Sequence, residues 1–242
     1  VTHDFSSAGT YTIRIQGAFP GIYFLASNAD LLKILSVDQW GSIQWASMEQ
    51  AFANCVNLQV LATDAPDLSG VTNMSNMFSA CSSFNQDISS WDVSGATVMS
   101  FMFAGATAFN QNIGSWNVTA GVAGITGMFQ GATAFNQDIS SWDVSGVIDL
   151  NGLDNMFAGA TSFNQDISSW DVSSIVSMAG MFDGAVNFDQ DLGAWNIQWV
   201  EDITDMFNGV TLSTANYDAI LTGWSTLDPG EAQISSGVTF SG

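Results

Sequence analysis

Five copies of a Trp-Asp-Val-Ser type segment place an oxygen-bearing side chain at the same position each time. In every copy an Asp or Asn lies between a Trp and a Val or Ile. Side chains of an extended segment alternate between its two faces, so the apolar residues would point inward and the polar residues outward. We call these outward residues the Ser/Asp surface. Its members are Ser90, Asp92, Ser94, Ser115, Asn117, Thr119, Ser141, Asp143, Ser145, Ser169, Asp171 and Ser173, and Asn196 continues the column of Asp and Asn.

The Ser/Asp surface is the best candidate for binding chemistry. Asp143 and Asp171 occupy the same position in adjacent copies, with no Asn between them. Two carboxylates about 5 Å apart repel each other by roughly 1–3 kcal/mol. They could share a Ca²⁺, accept basic groups of a partner, or carry raised pKa values. The alternative is a solvated polar surface that holds no ligand.

A second polar column has a structural explanation. Asn and Asp at fixed turn positions commonly bond to the local backbone, which favours a structural ladder here. A calcium site would need six to eight oxygen ligands, and no Gly-Gly-x-Gly-x-Asp repeat accompanies this column. The column consists of Asp87, Asn112, Asp138, Asp166 and Asp191, preceded two residues earlier by Asn85, Asn110, Asn136, Asn164 and Asp189.

The two cysteines occupy equivalent positions. Cys55 and Cys81 each follow a phenylalanine, Phe52 or Phe78, by three residues. Neighbouring copies could bring the two sulfurs within bonding distance, and an oxidising extracellular setting would favour a disulfide. Two small buried thiols are the alternative.

Nothing in the sequence predicts an enzyme. The single histidine, His3, has no nucleophile pattern around it, so a Ser-His-Asp arrangement is not expected. Pairs of carboxylates could in principle hydrolyse a glycoside, but here they belong to a repeat. We therefore expect surface binding and no catalytic residues.

The chain is organised by an internal repeat. The tryptophans of the five copies, Trp91, Trp116, Trp142, Trp170 and Trp195, are 25, 26, 28 and 25 residues apart. The additional residues all follow the Trp-Asp-Val-Ser segment, within 120–129 and 145–157. A second landmark, Met-Phe-x-Gly-Ala, recurs with phenylalanines at Phe78, Phe103, Phe129, Phe157, Phe182 and Phe207, and Phe52 marks a divergent seventh copy.

Each repeat is predicted to contain a short strand and one or two helical turns. Ile88, Trp91 and Val93 have the spacing of the strand in a leucine-rich repeat. Val71, Met74 and Phe78 have helical spacing, and a glycine follows in most copies where such turns would end. These glycines are Gly105, Gly131, Gly159, Gly184 and Gly209. Stacked repeats would bury their apolar residues as columns. The pattern predicts an α/β solenoid, a leucine-rich-repeat-like right-handed stack of about seven coils.

The combined pattern WDVSx(V/T)xxMxxMFxGAxxFNQDI resembles the BspA-type leucine-rich-repeat surface proteins of microbes over about 48–224. The resemblance implies a secreted or cell-surface protein involved in adhesion or matrix binding, without a shared catalytic motif. The segment THDFSSAGTYTIRI looks like the closing strands of a PKD-like β-sandwich, which implies a neighbouring domain upstream.

Three regions follow from this pattern. Residues 1–47 are predicted to form an N-terminal strand, over 2–17, and a capping region. Residues 48–210 form the repeat region. Residues 211–242 are predicted to contain a capping helix over 213–224 and a trailing strand over 234–242, because the end repeats of a stack need covering.

The charge balance limits the possible partners. The formal net charge is -21, with Arg14 and Lys33 as the only basic residues. Nucleic acid and anionic membranes are poor partners because both require a basic surface, so we expect no nucleic-acid binding. No stretch approaches the roughly 20 apolar residues of a membrane span, so we expect no direct membrane insertion. We expect an extracellular adhesion module that binds a protein or glycan. The alternatives are a self-associating subunit of a fibre or surface layer and, less favoured, a secreted polysaccharide-acting enzyme.

Overall fold

The computed structural model describes residues 7–17, 19–22, 31–118, 121–147 and 149–225. In these ranges the regular elements are strand β1 (Ser36–Val37), strand β2 (Gln59–Val60) and helix α1 (Thr214–Ser225). β1 and β2 pair in parallel, with Ser36 opposite Gln59 and Val37 opposite Val60. Most of the remaining described chain consists of turns joined by isolated parallel bridges.

Consecutive repeats stack through a ladder of backbone hydrogen bonds around each Met-Phe segment. The N–H of Phe78 donates to the carbonyl oxygen of Met102 at 2.9 Å, and the N–H of Asn76 donates to that of Ser100 at 3.0 Å. We call this feature the turn ladder, because the intervening N–H groups close turns within their own repeat. The repeats are numbered 1 to 7 by Phe52, Phe78, Phe103, Phe129, Phe157, Phe182 and Phe207.

The turn ladder replaces the helical turns predicted over 69–78. Asn76 and Ala80 have φ values of 56° and 57°, and later repeats hold Gly105, Gly131 and their counterparts in the same left-handed region. Left-handed residues interrupt a right-handed helix. They also let alternate N–H groups point toward the next repeat. The glycines therefore belong to turns, and the helical prediction is not met.

The strand predicted over Ile88 to Val93 is also absent from the described structure. The N–H of Trp91 donates to the carbonyl oxygen of Ile88 at 3.1 Å, which closes a turn at this point. An N–H used within its own repeat cannot join a continuous ladder with a neighbour. Most backbone pairing between repeats is found instead in the turn ladder.

Two phenylalanines from each of repeats 2 to 6, with Phe52 of repeat 1 and Phe207 of repeat 7, form a continuous stack through the interior. Ring centroids within a repeat are 3.9–4.1 Å apart, as between Phe129 and Phe135. Rings of adjacent repeats are 5.7–6.1 Å apart, as between Phe135 and Phe163. Each aromatic buries roughly 150–250 Å², so these rings supply much of the apolar burial. Phe207, in repeat 7, is only partly buried.

The tryptophan column connects repeats by a second type of bond. The indole Nε1 of Trp142 donates to the backbone oxygen of Ile113 in the preceding repeat at 3.2 Å, and Trp116, Trp170 and Trp195 make the same contact. All of these rings are buried. Each indole thus contributes apolar area while its polar N–H is satisfied.

Helix α1 covers the C-terminal end of two columns. Trp224 Nε1 donates to the backbone oxygen of Leu192 at 2.9 Å, taking the place of a further repeat tryptophan. Asn216 Nδ2 donates to the Oδ1 of Asp189 at 2.8 Å. The helix lies within one residue of the range predicted from sequence. Residues 10–16 have no strand conformation, whereas 2–6 and the predicted trailing strand over 234–242 lie outside the described residues.

Candidate functional site

The Ser/Asp surface is built from small hydrogen-bonded units. In repeats 2, 4 and 5, which we assign by the phenylalanine preceding each tryptophan, one aspartate Oδ1 accepts two hydrogen bonds from the serine two residues later. For Asp92 and Ser94 the distances are 3.1 Å from the N–H and 2.6 Å from the hydroxyl. The pairs of Asp143 with Ser145 and of Asp171 with Ser173 have nearly the same geometry. The carboxylates are thereby held in one orientation, exposed to solvent.

The first serine of each copy connects neighbouring repeats. The hydroxyl of Ser141 donates to the backbone oxygen of Gly114 at 2.8 Å, and Ser115 and Ser169 bond the preceding repeat in the same way. These three serines are therefore structural as well as exposed. Ser90, the first serine of its copy, and Asn117, which takes the aspartate position of its copy, are also exposed, and Thr119 lies outside the described residues.

Hydrogen bonding keeps the surface anionic. The hydroxyl of Ser94, followed by its N–H, lowers the pKa of Asp92 below the ordinary carboxyl value. The pKa of Asp171 is lowered in the same way by Ser173, against a smaller opposing effect from the charge of Asp143. Among the described residues, no hydrogen bond reaches the Oδ2 of Asp92 or Asp171, so these oxygens remain open to a partner.

The calcium hypothesis for Asp143 and Asp171 stays a prediction. Within the described ranges, no three His, Cys, Asp or Glu side chains come together in a group that could hold a metal ion. A Ca²⁺ ion needs six to eight oxygens. Two carboxylates would leave most of these ligands to backbone oxygens, serine hydroxyls and water.

The second polar column has local and inter-repeat hydrogen bonds. Asp138 Oδ1 accepts the N–H of Ser140 at 2.9 Å, and the other members of its column bond two residues ahead in the same way. The residues two positions before each of these members connect neighbouring repeats. Asn110 Oδ1, for example, accepts hydrogen bonds from the N–H of Asn136 and the Nε2 of Gln137, each at 2.9 Å. This is the arrangement expected of a structural ladder.

Cys55 and Cys81 are buried free thiols, so the disulfide favoured by the sequence is not formed in this structure. The Cys81 thiol donates instead to the backbone oxygen of Phe52 at 3.0 Å. Burial raises the pKa of Cys55 to about 11, and burial followed by the neighbouring Cys55 raises the pKa of Cys81. Both groups are therefore neutral thiols at neutral pH, and a thiol is a much weaker nucleophile than a thiolate.

Two notable side chains were not singled out from the sequence. Trp199 is 61% exposed at a turn position that other repeats fill with Gly95 or Ser174. The sequence did contain a signal for this exposed side chain, because Trp199 stands where other repeats have a Gly or Ser. Asp154 accepts hydrogen bonds from the Ser177 hydroxyl and the Ala179 N–H, yet burial raises its pKa above the ordinary value. No feature of the sequence indicated that burial.

A protein-family model described as "Mycoplasma protein of unknown function, DUF285" matches residues 46–153 and 149–227. The chain belongs to this family. The match covers the region in which the turn ladder and the aromatic columns are found. Its two segments meet at the long connection between the Trp142 and Trp170 copies. The description of the family assigns no activity, ligand or partner to its members.

No curated protein and no solved structure matches this family member. Helices in its described part are too short or too polar to cross a membrane.

Proposed function

We propose that this chain is an extracellular BspA-type leucine-rich-repeat solenoid, a right-handed stack that acts as an adhesion module, secreted or held at a cell surface. Its Ser/Asp surface binds a protein or a neutral glycan. The observation that carries the proposal is the repeated unit formed by Asp92, Asp143 and Asp171 with their serines, which presents fixed, exposed carboxylates in repeats 2, 4 and 5.

The charge and the chemistry of the surface define the ligand class. Carboxylates with pKa values below the ordinary range stay ionised and accept hydrogen bonds from hydroxyl or ammonium groups. A net charge of -21 repels anionic polymers. The indole of Trp199, exposed in the repeat that follows Asp171, offers a flat apolar face of the kind on which sugar rings pack. A neutral glycan or a basic protein surface therefore fits best.

The test is binding to glycan and protein arrays, with and without calcium, followed by charge neutralisation. The double variant Asp143→Asn/Asp171→Asn keeps an Oδ1 acceptor, as Asn196 does at the same position. We expect this variant to lose most of the binding. Its melting temperature should change no more than that of the control variant described next.

A matched control is available within the same repeats. The double variant Asp138→Asn/Asp166→Asn removes the same charge from the second column, where Asn112 occurs naturally. Equal loss of binding in both variants would show a general charge effect and contradict the proposal. Polysaccharide hydrolysis that disappears on Asp143→Asn would also contradict it, because the proposal assigns this surface to binding alone.

A further inference from the structure

The turn ladder ends abruptly at repeat 7. In repeat 6, the N–H of Phe182 donates to the carbonyl oxygen of Met206 at 2.9 Å, and the N–H of Gly184 donates to that of Asn208 at 2.7 Å. The ladder advances by the same pairing from repeat 1 onward. A donor in repeat 7 therefore needs an acceptor from a segment in the position of an eighth repeat.

The corresponding donors of repeat 7 are the N–H groups of Asp205, Phe207 and Gly209. Across the described ranges, these three groups donate to no protein acceptor. Asp205 and Gly209 are exposed. We call this row of three N–H groups the ladder edge. An unpaired row of this kind is a template for another extended segment.

The cap does not complete the ladder edge. Helix α1 continues the tryptophan column through Trp224 and bonds Asp189 of the second polar column through Asn216. Neither of those bonds involves the ladder edge. Phe207 stacks on Phe182 at 5.7 Å and meets Trp224 of the cap in a tilted contact at 6.5 Å, yet it remains partly exposed. Rings inside the stack have stacked neighbours from the repeats on both sides. An occupant would therefore gain an apolar contact as well as hydrogen bonds.

The charge along the ladder edge selects the occupant. Glu201, Asp202 and Asp205 are all exposed in repeat 7, and Asp205 itself carries one of the unpaired N–H groups. A second copy of this chain would bring its own net charge of -21 against these carboxylates. A basic segment would pair with them. Electrostatic complementarity of this kind increases both specificity and the rate of association.

We propose that the ladder edge binds an extended, lysine- or arginine-bearing segment of a different protein, which pairs in parallel as an eighth repeat would. Main-chain bonds to Asp205, Phe207 and Gly209 provide the register, and an aromatic residue of the segment packs on Phe207. Addition of an extended peptide to an open backbone edge is an established mode of recognition. This site is separate from the Ser/Asp surface.

The test uses the full chain, labelled with ¹⁵N, and a peptide based on repeat 6. The peptide has the sequence Met-Ala-Gly-Met-Phe-Lys-Gly-Ala with an additional Lys at each end. Amide hydrogen exchange is measured for Asp205, Phe207 and Gly209, with the paired amides of Phe182 and Gly184 as internal references. In the free protein we expect the first three to exchange rapidly. Saturating peptide should slow them at least tenfold, while a scrambled peptide of equal charge should not.

Charge neutralisation provides a second readout. Asp205→Asn should weaken peptide binding about twofold to fivefold, the range for an exposed ion pair. Asn occupies this left-handed position naturally at Asn76 and Asn155, so the backbone is retained. Asp191→Asn is the matched control. It removes one negative charge outside the ladder edge, and the Asn side chain keeps an Oδ1 acceptor for the N–H of Gly193. It should leave binding unchanged.

Three outcomes would overturn the proposal. Slow exchange at the ladder edge in the free, monomeric protein would show that the chain covers the edge itself. Slow exchange that develops with protein concentration, together with a dimer mass in light scattering, would identify a second copy as the occupant. Equal slowing of exchange by the scrambled peptide would show that the peptide's net charge, and not its sequence, causes the protection.

Discussion

At the scale of single residues, the same side chain has different surroundings in the middle of the stack and at its N-terminal end. Trp142 has an acceptor for its indole N–H, whereas the buried Nε1 atoms of Trp40 and Trp45 have no hydrogen-bond partner among the described residues. Trp40 instead packs edge-on against Trp91, with ring centroids 5.4 Å apart. A buried N–H without an acceptor weakens the folded state, so these tryptophans are not energetically equivalent.

This difference predicts the outcome of two matched substitutions. Trp142→Phe removes a satisfied hydrogen bond, leaves the Ile113 oxygen without its donor, and should lower the free energy of unfolding by about 3 kcal/mol. Trp40→Phe loses similar area but also removes an unsatisfied donor, so its cost should be smaller by about 1 kcal/mol. Urea denaturation followed by circular dichroism would compare them. A larger cost at Trp40 would contradict this assignment.

Asp154 predicts an unusual dependence on pH. Its folded-state pKa is raised by burial, so its contribution to stability is full below the unfolded value and is lost as the pH rises through the folded value. Asp154→Asn can keep the acceptor for Ser177 and Ala179. It should therefore raise the melting temperature at pH 7, and the gain should disappear by about pH 3. A melting temperature that falls on substitution at pH 7 would refute this explanation.

At the scale of elements, the turn ladder depends on close packing at its left-handed positions. Phe101 has a φ of 57°, and its ring lies where a Cβ on Gly127 would be placed. Gly127 has a φ of +59°, so two constraints coincide at one residue. At Gly131, with a φ of +68°, a Cβ would meet only the Cα and N of Gly105 at 3.7 Å.

Substitution by alanine should separate these constraints. Gly131→Ala should cost roughly 1–2 kcal/mol, the cost of a left-handed conformation for a residue with a Cβ. Gly127→Ala should cost about 3 kcal/mol or more because the Phe101 ring must also move. The double variant Phe101→Gly/Gly127→Ala should recover part of that loss, measured as a coupling energy in a double-mutant cycle. Additive effects would show that the ring is not the obstacle.

Helix α1 offers a test in which propensity and packing oppose each other. Gly→Ala within a helix normally gains about 1 kcal/mol. At Gly223, however, a Cβ would overlap the backbone of Gly193. Gly223→Ala should therefore lower the melting temperature, whereas Thr222→Ala, on the exposed side of the same turn, should leave it unchanged or raise it. Stabilisation by Gly223→Ala would mean that the helix is not docked against Gly193.

The sequence predicted which side chains are buried better than it predicted backbone conformation. The columns containing Phe129, Trp142 and Ile139 followed from repeat spacing, and the helix beginning at Thr214 followed from its apolar periodicity. The spacing of Val71, Met74 and Phe78 fits a helix and a run of turns equally well. The information that favours turns lies at two positions of each repeat, two residues before and two residues after the phenylalanine of the Met-Phe segment. These positions are rich in Asn, Gly and Asp, which tolerate positive φ.

The candidate site was predictable to a similar extent. Repetition indicated that Asp92, Asp143 and Asp171 would be exposed in register. It did not reveal that Ser94 and its counterparts use their hydroxyls on those same carboxylates, because this depends on a local turn conformation. The exposure of the ladder edge at Phe207 required knowledge of where the cap docks.

At the scale of the whole molecule, unbalanced charge should control stability. A net charge of -21 generates self-repulsion that favours expansion. Salt screens this repulsion over a Debye length that falls from roughly 30 Å at 0.01 M to about 3 Å at 1 M. Raising NaCl across this range should increase the melting temperature steadily. A decrease would show that attractive charge pairs dominate.

The same titration can detect a specific cation effect. At matched ionic strength, CaCl₂ should stabilise the protein more than NaCl only if a Ca²⁺ site exists. If Asp143 and Asp171 form that site, Asp143→Asn/Asp171→Asn should remove the difference while Asp138→Asn/Asp166→Asn retains it.

The bond between each indole and the backbone oxygen of the preceding Ile or Leu has an evolutionary consequence. Because nearly the same junction recurs from Trp116 to Trp224, duplication or loss of one whole unit creates only junctions of a kind already present. Recombination within the gene can therefore lengthen or shorten the molecule in steps of about 5 Å. Copy number can change while every surviving contact keeps its geometry.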